Sequence, residues 1–118
     1  MNEYIDRFGE KRSVQKGLRF DVQFGDLIML NGRYQLVTGY GIYDNQVWTE
    51  KIFEDGCHLG SGNYELATGA VVISDKALRT WAIEAYKAEL RDCLKMFFSV
   101  YSKQYVAMIE AHLEQLTV

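Results

Sequence analysis

The adjacent pair Cys57-His58 is the first place in this sequence where chemistry could arise. A thiolate beside an imidazole can act as a nucleophile with its base. Neighbouring residues on an extended segment point to opposite faces, however, and no motif supplies a third group to orient the imidazole. The pair reads as a loop cysteine next to an exposed histidine, and a Cys57-dependent enzyme stays only as an alternative. Cys57, His58, Cys93 and His112 together offer four zinc-type ligands, but none has a C-x-x-C or H-x-x-x-H spacing. Cys93 falls on an apolar stripe with Leu90 and Phe97, where a free cysteine behaves as a small hydrophobe. His112 sits near a helix C-terminus, where a partly charged imidazole is favourable. No metal and no cofactor are expected.

Two glycine-bearing loops, Gly39-Tyr40-Gly41 and Gly60-Ser61-Gly62, carry only the first half of G-x-G-x-x-G. Asp44 and Glu65 stand where the third glycine is needed, and no helix follows either loop. A phosphate would therefore meet no helix N-terminus. Carboxylate pairs such as Glu54-Asp55, or Glu50 with Glu65 across strands, show neither the cleft nor the separation that glycosidase chemistry requires.

The distribution of charge says more. The chain of 118 residues has a net charge of −3, which excludes a strongly basic nucleic-acid coat. Residues 34–73 hold Lys51 alone against Asp44, Glu50, Glu54, Asp55 and Glu65, while the flanking thirds are nearly balanced. The same acidic segment carries Tyr34, Tyr40, Tyr43, Trp48 and Tyr64. Aromatic rings beside carboxylates suit a protein partner with a basic surface. Tyr40, Tyr43, Trp48, Glu50, Glu54 and Asp55 are the candidate partner-binding residues. Phosphate contact needs clustered Lys and Arg. Only Lys11, Arg12, Lys16 and Arg19 approach that, next to Glu10 and Asp21, so nucleic acid is the less favoured partner.

The elements that must hold these residues change character near Ser74. All ten glycines precede Ala70, and none follows. Glycine punctuates strands and turns and is costly within helices. Asn2 to Phe8 predicts a short helix with Tyr4 and Phe8 on one face, so residues 1–17 form a short helix or an exposed arm. Residues 18–73 form the β-rich part. Leu18, Phe20, Val22 and Phe24 alternate with polar residues, as in a strand. Asn31-Gly32 is the strongest hairpin signal. Gly39-Tyr40-Gly41 suggests a bulge, and Gln46–Phe53, Asn63–Thr68 and Ala70–Ile73 supply further strands.

Residues 74–118 are helical, capped by Ser74 or Asp75. Leu78, Trp81, Ala85, Leu90, Leu94, Phe97 and Tyr101 are expected to pack on the sheet. A single 40-residue helix would run about 60 Å, so a turn within Ser99 to Gln104 is favoured over one long helix.

The fold class is α+β in a single domain, 1–118. A small antiparallel sheet of five or six strands, open or curled into an SH3-like partly open barrel, precedes a helical hairpin or one long helix. Surplus apolar helix surface, such as Met96 to Phe98 and Val106 to Ile109, suggests a homodimer through the C-terminal helices. The start of the chain lacks the apolar core of a signal peptide, and no stretch reaches transmembrane length. With only two cysteines, a cytoplasmic protein is expected. The functional expectation is a non-catalytic interaction module, such as a small inhibitor, adaptor or immunity-type protein. A nucleic-acid-binding small barrel is the alternative.

Overall fold

A computed structural model describes residues 2–96 and 102–117. Eight strands precede two helices: β1 Glu3–Ile5, β2 Lys11–Ser13, β3 Leu27–Leu30, β4 Arg33–Tyr40, β5 Gln46–Phe53, β6 Gly56–Cys57, β7 Asn63–Leu66, β8 Val71–Val72, α1 Lys76–Met96 and α2 Lys103–Glu114. This is the expected α+β arrangement, with two helices. Phe97 and Tyr101, and half of the stretch where the turn is expected, lie outside the described residues.

Six strands form one antiparallel sheet in the order β6-β5-β4-β3-β8, with β7 also paired to β5. Among the described residues no pairing joins β7 to β8, so the sheet is not a closed barrel. Asn31 and Gly32 both take positive φ, 52° and 73°, and pair Leu30 with Arg33 in a two-residue hairpin. The β4–β5 register slips between Val37 and Gly39, which is the bulge that the glycines predict.

The central strands β3 and β4 are buried on both faces, and β3 reads as a continuous apolar run. Leu27, Leu36, Ile52 and Cys57 pack against Ile83, Tyr86 and Leu90 of α1 and Ile109 and Leu113 of α2. The other face, with Ile28, Val37 and Val47, packs against Tyr4, Val22, Tyr40 and Ala67. Each such side chain contributes roughly 1.5–3 kcal/mol of burial. Asp75 caps α1 by accepting the Leu78 N–H at 3.0 Å.

Two local expectations fail, each for an identifiable reason. The N-terminal segment is a hairpin, not a helix: β1 pairs with β2 from Glu3–Ser13 to Ile5–Lys11. Asp6 accepts the N–H groups of both Phe8 and Glu10 and closes the turn, with Gly9 at φ 80°. The segment 18–24 alternates as expected, and Val22 is buried, but it joins no sheet. Its N–H groups are taken by side chains instead: Arg19 by Asp44, Asp21 by Asn45, Gln23 by Asp26 and Phe24 by the Tyr40 hydroxyl.

Candidate functional site

The apolar stripe of α1 decides where the surface site lies. Its buried residues are Ala82, Ile83, Tyr86, Leu90 and Leu94. Trp81, expected in the core, is rotated off this stripe and is 39% exposed. Tyr86 holds the central position, where its hydroxyl has a buried partner, His112 Nε2 at 2.8 Å. Trp81, Ala85, Ala88, Glu89 and Asp92 then share the helix flank that faces the β5–β6 turn.

Two depressions meet at Trp81. An open trough of about 570 Å³ is floored by Met29, Tyr34 and Ile52 and walled by Phe53, Leu78 and Trp81. Arg33 lies over the Phe53 ring at 4.7 Å and Glu54 stands on the rim. On the far side of Trp81, a cleft of about 300 Å³ is lined by Glu54, Asp55, Glu89 and Asp92. No Lys or Arg lines this cleft; its one basic residue, His58, is hydrogen-bonded to Asp55 at 3.0 Å. That bond holds the Asp55 carboxyl below the usual range. Among the described residues the Trp81 side chain has no hydrogen bond, ion pair or ring contact. Trp48, by contrast, donates its indole N–H to Glu50 and packs edge-to-face with Phe8 and Tyr64.

The expected partner-binding residues do not converge. Glu54 and Asp55 are exposed in the β5–β6 turn and belong to the cleft. Tyr43 is 63% exposed but lies in the β4–β5 turn, the opposite end of a strand about 25 Å long. Trp48 is half-buried in its ring row. Tyr40 and Glu50 offer no surface. Tyr40 is buried between Tyr4 and Phe20, with its hydroxyl donated to Gln23. Glu50 points inward because the pleat of β5 puts it on the helix side with Ile52. Its Oε1 lies 2.9 Å from Arg7 Nε and accepts the Trp48 indole at 3.0 Å, while its Oε2 is buried without a partner. Burial pushes its carboxyl up, against the pull of Trp48 and Arg7.

The groups first considered for chemistry are also separated. Cys57 is buried, and desolvation pushes its thiol up to about 12, the reverse of an activated thiolate. His58 turns outward to Asp55 and meets the Phe53 ring edge-on. His112 is not a charged helix-end residue: it is buried, and desolvation pushes it down to about 4. Its Nδ1–H donates to the Ile5 carbonyl at 2.7 Å, so Nε2 accepts from Tyr86. Among the described residues no three His, Cys, Asp or Glu side chains come close enough to hold a metal ion.

Sequence reasoning missed Trp81, Glu89 and Asp92 as surface residues of one site. Their signal was present in the spacing, since 81, 85, 88, 89 and 92 fall on one helical face. What hid it was a stripe set one position off. No helix is long and apolar enough to cross a membrane among the described residues. No family model, no curated protein and no solved structure matches the chain.

Proposed function

We propose that the protein is a non-catalytic interaction module that captures a basic segment of a protein partner. The observation that carries this is the cleft of Glu54, Asp55, Glu89 and Asp92, with no Lys or Arg in its lining. Four acidic residues lining one cleft suit an incoming cation. The inhibitor, adaptor or immunity-type role belongs to the same proposal, as does a cytoplasmic setting, which the free Cys57 and Cys93 support.

The nucleic-acid alternative has less support. Arg12 sits beside Asp6, Lys11 beside Glu3 and Arg19 beside Asp21, so these cations already have carboxylates. The rings of Phe8, Trp48 and Tyr64 meet edge-to-face and offer few free faces for a base. Self-association through the helices is a separate part of the proposal, drawn from the exposed Met96 on α1, away from the trough. Light scattering tests it directly.

The test of the main reading is binding of a fluorescent Lys/Arg-rich peptide, followed by anisotropy at low salt. Binding should weaken with added salt. It should be lost in the quadruple variant Glu54→Gln, Asp55→Asn, Glu89→Gln, Asp92→Asn. No binding at low salt, or equal binding by that variant, overturns the proposal.

A further inference from the structure

We infer that the trough beside Trp81 is an anchor pocket, so that the partner segment is bipartite: a bulky apolar side chain followed by a basic one. The inference rests on the acidic cleft being a capture site for cations and specifies what else the segment must carry.

The trough and the cleft share Trp81 and Glu54 in their linings, so one bound chain passes from one to the other. Most apolar rings in this protein are accounted for. Tyr86 bonds His112, and Trp48 bonds Glu50. Trp81 alone among the two tryptophans keeps an indole with no partner, at the junction of an apolar floor and a carboxylate wall. An unpartnered tryptophan at such a junction has the chemistry of a binding hot spot. Its ring offers one flank to an apolar side chain in the trough. The charge of the cleft fixes the sign of what lies beyond, a Lys or Arg. A volume of about 570 Å³ lies in the range of pockets that accept whole rings.

Helix geometry sets the spacing. Trp81 to Glu89 and Asp92 is eight and eleven residues, about 12 and 17 Å along the axis at about 1.5 Å per residue. An extended segment at about 3.3 Å per residue covers that in four or five residues. The partner is therefore an extended peptide segment with a large apolar residue and a cation four or five positions apart.

The experiment compares three synthetic peptides by calorimetry: a basic peptide without rings, a Phe-to-Lys/Arg peptide at the four-to-five spacing, and the same composition spaced by eight to eleven. The four-to-five peptide should bind about tenfold tighter than the ring-free peptide. Trp81→Ala should remove that advantage. Circular dichroism and the denaturation midpoint show whether that variant is folded, and Leu78→Ala, on the same wall, should act in the same direction.

Equal affinity for the ring-bearing and ring-free peptides overturns the anchor pocket but leaves the acidic capture site standing. Failure of every peptide to bind overturns both. Tighter binding at the long spacing overturns the extended segment. A dimer that Trp81→Ala converts to monomer puts a second copy in the trough and also overturns the inference.

Discussion

Arg7→Met should destabilise the protein strongly at neutral pH and much less in acid. Glu50 is fully buried, and Arg7, at 16% exposure, is its counter-ion. The Arg7 Nε lies 2.9 Å from Oε1, yet its N–H is poorly aligned on that oxygen, so charge rather than hydrogen-bond geometry holds the pair. Removing one partner of a buried pair costs about 3–5 kcal/mol because the remaining charge is stranded. Imperfect alignment and partial solvation of Arg7 place the expected loss near about 3 kcal/mol. Methionine keeps the apolar stem, so little of this loss is packing. The Glu50 carboxyl already stands above its usual range, and loss of Arg7 raises it further. A carboxyl raised in the folded state binds its proton more tightly there, so stability falls as pH rises through its folded pKa and returns as pH falls. Urea denaturation of wild type and variant at about pH 8 and about pH 5 reads both effects. The difference between the two proteins should shrink toward acid. The double variant Arg7→Met/Glu50→Gln should recover most of the loss at about pH 8, because the amide still accepts from Trp48 and buries no charge. A loss below about 1 kcal/mol for Arg7→Met, or the same loss at both pH values, refutes the stranded-charge reasoning.

His112 should give the wild type the opposite slope. Its folded pKa is depressed to about 4 from 6.5, so the unfolded chain binds the extra proton between those values and stability falls as pH drops through them. The full shift corresponds to about 3 kcal/mol, and denaturation of His112→Gln should show a flatter profile over the same window. Cys57 should resist iodoacetamide at neutral pH in the folded protein and react only in denaturant, because its thiol is buried and pushed up to about 12; rapid native labelling at Cys57 by peptide mapping would contradict this. Gly62→Ala should cost about 1–3 kcal/mol in a thermal melt. An added Cβ there would stand 2.6 Å from Glu50 Oε2 and 2.9 Å from Oε1, and the fully buried carboxylate has little room to move. An unchanged melting temperature would show that the 60–62 loop gives way freely.

The features legible in the sequence are those set by local backbone chemistry. Asn31-Gly32 specifies its hairpin because both residues take the positive φ that the turn demands. The bulge at Gly39 and the cap at Asp75 belong to the same class. The features that were not legible depend on where distant polar groups settle. Leu18 to Phe24 has a strand's alternation, but Asp44, Asn45, Asp26 and Tyr40 reach its N–H groups first. The acidic segment was correctly seen as unusual, yet its pleat sends Glu50 inward and leaves Glu54 and Asp55 outside. The site then borrows Trp81, Glu89 and Asp92 from a helix about thirty residues away, because Tyr86, and not Trp81, faces the core. There the buried Tyr86 hydroxyl is satisfied by His112. The core stripe is held by a tyrosine with a partner, and Trp81 stands at the surface between an apolar trough and four acidic residues. Packing inside the domain and recognition outside it are thus linked through the rotation of a single helix.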